Sequence, residues 1–369
     1  MVDESAAVAA PVMDRAAADG RDRHFPCKQC GADLVFPPGA TDLACPYCGT
    51  TEAIPLTEQA IREYAFSDYL PPKKATITAG SGAFAEMECT GCGSRIEVPR
   101  DTAVRPCPYC GGTLISKDVG ETLIKPEAVL PFVVKRDAAE RSVQAWVKSL
   151  WFAPNDLKRS ITFERFTSLY LPWWTFDSHT VSHYQGEAGF RYTVSVGSGK
   201  NKRTETRIRW EWRSGVHERF FDDLPVPGGV FREWGDSYRL AEVKSFEPSY
   251  MAGHSASHYT KDPQQAWPDA KGRMESAISS DCYRLIGGDT QRNVTIRTAH
   301  RGITYKLVLL PRWQGGFRYH GKTFQISVNG QSAVVKGDRP WSVVKITLAV
   351  LALLLAIGVV VALVHGSQR

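Results

Sequence analysis

One cysteine pattern occurs twice in this chain and limits its fold more than any other feature. Cys27 and Cys30 are followed after fourteen residues by Cys45 and Cys48, and Cys89 and Cys92 after the same interval by Cys107 and Cys110. Each pair reads CxxCG, with Gly31, Gly49, Gly93 and Gly111 behind the second cysteine. A shift of 62 residues also superposes Pro37 on Pro99, Pro46 on Pro108 and Tyr47 on Tyr109. A CxxC turn sets two sulfurs along one edge of a tetrahedron, and the glycine lets the backbone turn tightly around a metal. Four thiolates at this spacing fit one zinc ion, so the sequence predicts two tandem four-cysteine zinc ribbons and two zinc ions per chain. Disulfides are the alternative. Secreted frameworks do not usually repeat CxxCG pairs, and no secretory signal precedes these.

The ribbons fall at about 24–55 and 86–116. In the first, ADLVF and TDLAC read as strands joined at PPGA; in the second, RIEV and TAVRP do. A piece of about 25 residues cannot bury a core, so zinc must supply the folding free energy. The segment between them, 56–85, begins helix-like and ends as a Pro/Gly/Ser linker. On that reading each ribbon unfolds independently when its metal is lost. Residues 1–23, rich in Ala and Asp, read as disordered. Reduced thiolates point to the cytoplasm. The ninth cysteine, Cys282, lies in a helix-like stretch and reads as a small buried apolar residue.

At the other end, Ile346 to Val364 reads ITLAVLALLLAIGVVVALV, nineteen residues without a charge. At about 1.5 Å per residue that crosses a hydrocarbon core of roughly 30 Å. Only five residues follow it, so nothing downstream is left to bury it as a core helix. Trp341 suits the headgroup layer, and Lys336, Arg339 and Lys345 precede the span. Positive charge stays on the cytoplasmic side, so the expectation is a single-pass tail anchor (341–369) in the cytoplasmic membrane with the N-terminal bulk inside.

Between ribbon two and the anchor, 117–340 reads as a β-rich α+β domain. Ala139, Val143, Val147 and Leu150 form one helical stripe, and Asp262–Pro263 opens a second helix running to about Ile286. Around the turn GSGKNK, Phe190, Tyr192, Val194 and Val196 alternate with polar residues. On the far side Thr204, Thr206, Ile208, Trp210 and Trp212 alternate with Arg and Glu. This is a long β-hairpin with an apolar and a charged face. From Arg191 to Arg213 there are seven Lys/Arg against two Glu. Arg203, Arg207, Arg209 and Arg213 are therefore candidate contacts for nucleic acid or anionic lipid, or else the solvated outside of a sheet. LPWW at 171–174 recurs as LPRW at 310–313, each after a helix and before an aromatic, Gly-ended strand. This is either a duplicated helix-plus-sheet unit or two unrelated strand entries.

Three motifs imitate chemistry. GFRYHGKT at 316–323 matches GxxxxGK[ST], but alternation on both sides makes it a hairpin with Gly321 and Lys322 in the turn, so no nucleotide is expected. His179/His183 and His254/His258 are i,i+4 pairs without an HExxH context and read as surface histidines. All four zinc positions of each ribbon are filled by cysteine, which leaves no open coordination site for catalysis. With no nucleophile–base arrangement evident, the chain reads as a non-enzyme.

Taken together, the double CxxCG ribbons, KPEAVLPF, SLWFAPNDLK, SLYLPWWTFD, IGGDTQR, LVLLPRW, YHGKTFQISVNGQ and the C-terminal span resemble a family of bacterial tail-anchored zinc-ribbon proteins. The resemblance covers nearly the whole chain after the first twenty residues. Members often carry the labels "primosomal protein N′, superfamily II helicase" or "TFIIB-type zinc ribbon", which rest on the ribbons; this sequence holds no helicase motor. The resemblance implies neighbours of the phage-shock and flotillin-like type and recruitment to a stressed membrane. The reading is an adaptor or scaffold that binds protein partners at the cytoplasmic face, with a membrane-tethered nucleic-acid-binding ribbon protein as the alternative.

Overall fold

The computed structural model describes residues 12–13, 25–54, 60–69, 84–89, 95–99, 107, 114–116, 123–157, 163–199, 202–229, 238–320 and 322–366. It is α+β and strand-rich. The short strands β1 (Val12–Met13), β2 (Asp42–Ala44), β3 (Thr51–Ala53), β4 (Tyr64–Ala65), β5 (Phe84–Cys89), β6 (Arg95–Pro99), β7 (Leu114–Ser116), β8 (Leu123–Ile124) and β9 (Ala128–Val129) lead to helix α1 (Arg136–Ser149). The long strands β10 (Phe163–Val196) and β11 (Arg203–Pro227) follow, then β12 (Lys244–Ser245), β13 (Ser255–Ala256) and helix α2 (Pro263–Ile286). The chain closes with β14 (Thr290–Tyr319), β15 (Lys322–Asn329), β16 (Val335–Gly337) and helix α3 (Val343–Gly366).

The centre is an antiparallel pair, β10 against β14, running from Phe163↔Phe317 to Gly189↔Thr290 with three register shifts. The two Leu-Pro motifs lie side by side in it, Leu171 opposite Leu310. β11 flanks one half of β10, from Trp173↔Pro227 to Val196↔Arg203, and β15 flanks the opposite half of β14, from Arg312↔Asn329 to Tyr319↔Lys322. The order is therefore β11-β10-β14-β15-β16 with the outer strands staggered. Where each outer strand stops, a short parallel strand takes over: β13 beside β10 at Leu169↔Ser255, and β9 beside β14 at Val308↔Ala128. Each half thus runs short strand, helix, long strand, returning strand.

Alternation along β10 and β14 sorts the core into two faces. One face carries both helices. Ala139, Val143 and Val147 of α1 pack with Phe166, Tyr170, Trp313, Phe317, Ile326 and Val328. Further along, Ala266, Ala270, Met274, Ile278 and Cys282 of α2 pack on Trp174, Phe176, Phe221 and Leu307. That four-residue spacing is one stripe of an amphipathic helix, and Cys282 fills it as a small apolar residue. α2 starts where the sequence places it. Asp262 Oδ1 accepts from Gln265 N (2.7 Å) and Asp262 N donates to Gln265 Oε1 (3.0 Å), a complete capping box ahead of Pro263. The other face holds Leu169, Leu171, Trp173, Val308 and Leu310 against Cys89, Cys107 and Leu114 of the second cysteine segment.

Several expectations change. The stretch after ribbon one is not helical where it is described. Tyr64 pairs with Tyr305, and Phe66–Asp68 make a single 3₁₀ turn. The aromatic rings of Tyr64, Phe66 and Tyr69 all pack around Tyr305, and that burial overrides local helix preference. Val12–Met13, inside the segment read as disordered, pair with Leu123–Ile124. In ribbon one ADLVF contributes isolated bridges, Pro26↔Asp33 and Val35↔Ala44, and the ladder is β2 with β3. TAVRP, Gly321 and most of the inter-ribbon linker lie outside the described residues. α3 begins three residues before the predicted span, at Val343, and Val343–Val361 is long and apolar enough to cross a membrane, with none of it buried against the body.

Candidate functional site

Cys27, Cys30, Cys45 and Cys48 come together with every sulfur within 4.8 Å of the others. Cys27 Sγ lies 3.6 Å from Cys48 Sγ, and Cys30 Sγ 3.5 Å from Cys45 Sγ. A tetrahedral Zn–S bond of about 2.3 Å implies sulfur separations of about 3.8 Å, so the four fit one zinc ion. The two turns have the same construction. Gly31 N donates to Cys27 O and Cys27 N to Ala32 O (both 2.8 Å); Gly49 N donates to Cys45 O (3.1 Å) and Cys45 N to Thr50 O (2.8 Å). Gly31 and Gly49 sit at φ 74° and 75°, which a side chain rarely adopts. The four thiols differ in acidity. The Thr50 hydroxyl and amide beside Cys48 draw it down to about 6. The Ala32 amide favours the Cys30 thiolate, but sharing with the Cys45 and Cys48 sulfurs pushes Cys30 up to about 12. Lys28 and Glu52 close the outer side with an ion pair at 3.1 Å.

This ribbon is built into the body. Leu34, Phe36, Leu43 and both buried cysteines belong to the same core as Phe132, Tyr250 and α1. Phe36 N donates to Ala252 O (2.9 Å), Gly39 N donates to Phe132 O (2.7 Å), and the Phe36 ring meets Tyr250 edge-on at 5.2 Å. His254, read from sequence as a surface residue, is half-buried there. Its Nε2 donates to Phe36 O (2.9 Å) and its ring stacks on Phe132 at 4.7 Å. The expectation of an independently unfolding bead is corrected accordingly: the apolar side of the ribbon is part of the domain core.

In the second segment Cys89 and Cys107 are buried and close to the central sheet. Cys92 and Cys110 lie outside the described residues. β5 pairs with both β6 and β7 in a three-stranded sheet, and Cys89 ends its middle strand.

The β10–β11 hairpin forms, but not with the expected apolar and charged faces: Phe190, Tyr192, Val194 and Val196 stand directly opposite Arg209, Arg207, Glu205 and Arg203 and so share their side, and both faces meet solvent beyond α2. On the charged face, Arg203 and Arg207 flank Glu205 (2.8 and 3.3 Å), and Arg209 and Arg213 flank Glu211 (2.9 and 3.1 Å). Each triplet keeps one net positive charge, which weakens the four arginines as a polyanion surface. On the opposite face Ile208, Trp210, Trp212, Val216 and Phe220 form a row on β11. Trp212 is 59% exposed, Val216 54% and Phe220 51%. Across β10, the same face presents Arg292, Arg297 and Arg301 of β14, with Arg191 beside Ile208. Trp210 lies over Gly189, where an added Cβ would come within 2.8 Å of its ring. Arg292 covers the ring at 4.0 Å while pairing with Glu187 at 2.6 Å.

Sequence reading missed a polar cluster on this same face. Asp177 sits at a bulge in both ladders of β10, and Asp223 at φ 49°. Lys306 Nζ lies 2.7 Å from Glu63 and 2.5 Å from Asp223, while Thr304 Oγ1 donates toward Glu63 and Asp177. Burial beside the Glu63 carboxylate pushes Asp177 up to about 7. Burial opposes ionisation of Glu63, yet Asp177 and Lys306 hold it down to about 2. The three carboxylates are close enough to chelate a cation, but the Lys306 ammonium already stands among them. Residues 63, 177, 223 and 306 share no spacing that a sequence could reveal.

The remaining motifs resolve as local structure. GFRYHGKT is strand, turn and strand, with Tyr319 opposite Lys322; Lys322 starts β15 rather than lying in the turn. His179 and His183 share a face of β10, with His179 on Phe220 at 4.4 Å. His258 lies outside any helix.

No family model matches the chain, and no solved structure matches it. Among curated proteins it is similar to a Bacillus subtilis (strain 168) protein named "Uncharacterized protein YdjG", with 26% identity over 326 residues, 86% of this chain and 90% of that one.

Proposed function

We propose that this protein is a membrane-anchored, zinc-stiffened adaptor that binds a protein partner on the exposed face of the arm formed by β10, β11 and the start of β14. The observation that carries this is the row Ile208, Trp210, Trp212, Val216 and Phe220 beside Arg191, Arg292, Arg297 and Arg301. Twelve residues of strand at about 3.3 Å each make it roughly 40 Å long. Ser214 and Glu218 interrupt the row, but exposed aromatic and aliphatic side chains at this density, bordered by charge, are the mark of a protein interface. A nucleic-acid platform is less well supported. Trp210 is closed between Gly189 and Arg292, so no base can stack on it, and the opposite arginines are paired with Glu205 and Glu211. The rest of the reading is that both ribbons hold structural zinc, that the two halves of the sheet are a duplication, that the chain is not an enzyme, and that it serves in the membrane-stress response. The first two rest on the doubled CxxCG pattern and the paired Leu-Pro motifs, the last on the family resemblance.

The test is crosslinking in membranes from a photoreactive residue at position 216, in full-length protein and in a Trp212→Ser/Phe220→Ser variant. A discrete protein adduct that the variant loses while keeping its zinc content and melting temperature is expected. An identical adduct pattern, or an adduct to DNA or RNA only, overturns the adaptor reading.

A further inference from the structure

α3 is not joined to the body by a loose tether. Lys345, in its first turn, sends its ammonium back to the turn that follows α1, where it donates to Trp151 O (3.2 Å), Ala153 O (2.8 Å) and Asn155 Oδ1 (2.7 Å). Ser342 N donates to Phe152 O (2.8 Å), and the rings of Phe152 and Trp341 meet at 6.3 Å. Upstream, Asp338 N is held by Gln325 O (2.8 Å), and Arg339 covers Trp341 at 4.3 Å. The same turn is fixed from the sheet side, because Tyr319 Oη donates to Asp156 at 2.8 Å. Against this immobilised background Trp151 points outward, 79% exposed, with its own carbonyl on Lys345.

We infer that Trp151 is a second membrane-contacting residue: together with Trp341 it occupies the headgroup layer of the bilayer that α3 enters. The inference rests on α3 being a membrane span. An indole this exposed is unfavourable in water and favourable at a lipid interface, where the ring is buried and its N–H stays wet. A bilayer is placed to cover it, since α3 starts within one lysine side chain of it. Lys345 is occupied by three oxygen acceptors, so it acts as a clasp rather than as a lipid-phosphate contact. The sheet is then held in one pose. The Tyr319 end of β14 lies near the membrane, and the tip of the β10–β11 hairpin lies thirty-odd residues further along, roughly 100 Å of strand contour away.

The experiment reconstitutes full-length protein in phosphatidylcholine liposomes whose acyl chains are brominated at a shallow or a deep position, and reads quenching of tryptophan emission. The chain has ten tryptophans. Trp151→Phe should remove about half of the emission quenched by the shallow bromines, because two indoles are assigned to the interface. Trp212→Phe, on the arm, should remove none. Lys345→Met should leave the protein in the liposomes but reduce the quenching of Trp151, since the clasp sets its depth. If the protein floats with the liposomes, melts normally and Trp151→Phe leaves the quenched emission unchanged, the inference is wrong while the span stands. If full-length protein washes off without detergent, the span itself is wrong and the inference falls with it.

Discussion

His254 shows how much one half-buried side chain can hold. It joins ribbon one to the core through Phe36 O, stacks on Phe132 and meets Tyr170 edge-on, while its Nδ1 finds no partner among the described residues. Burial favours the neutral ring and draws the group down to about 4, against the opposing pull of the Phe36 carbonyl. A pKa depressed in the folded state contributes stability that is present above the unfolded value near 6.5 and lost as pH falls toward 4. The shift corresponds to at most about 3 kcal/mol. The unfolding free energy of wild type minus that of His254→Gln, from denaturant titrations, should therefore shrink steadily between pH 7 and pH 4. Zinc release in acid affects both proteins and cancels in the difference. A difference independent of pH would mean that the ring titrates freely. At this scale the four-cysteine cluster of ribbon one was legible, because CxxC places its members by local spacing. His254 and the Lys306 cluster were not, because their partners lie far off in sequence.

Among the elements, ribbon one is the most informative. Its metal turns are local, but Leu34, Phe36 and Leu43 complete the core over α1. Replacing Cys45 and Cys48 with Ser should remove one zinc equivalent and also lower the melting temperature of the whole domain. Losing the docked Phe36 alone costs about 3–5 kcal/mol by analogy with large-to-small core changes. Metal analysis and amide exchange at 250–254 measure both effects; an unchanged body transition would show that the ribbon is independent after all. The long hairpin was legible from strict alternation over Arg203–Arg213, which no helix could satisfy. The segment at 60–69 was not, since its rings are recruited by Tyr305 across the fold.

For the molecule as a whole, α3 and the body differ in solvent preference but are joined through Lys345 and Ser342. Truncation after Trp341 removes α3 and leaves the core clusters intact. The truncated protein should fold, and a high-salt wash should leave it in the soluble fraction, whereas full-length protein should need detergent. Insertion of a nineteen-residue apolar helix is effectively irreversible, while one or two interfacial indoles give only weak, reversible binding. Continued sedimentation of the truncated form with membranes would reveal a second embedded surface. Fractionation of the two forms makes the measurement.

What the sequence determined by itself was everything set by neighbours along the chain: four-sulfur spacing, strand alternation, the capped start of α2 and an uncharged run long enough to cross a bilayer. Tertiary structure alone decided that ribbon one is part of the core and that the two Leu-Pro motifs face each other. It also decided that one arm face stays uncovered and that Lys345 clasps the Trp151 turn. The reason is physical. Spacing along a chain specifies which side a residue occupies, but only the stagger of β11 and β15 on the central pair specifies which sides find another layer to cover them.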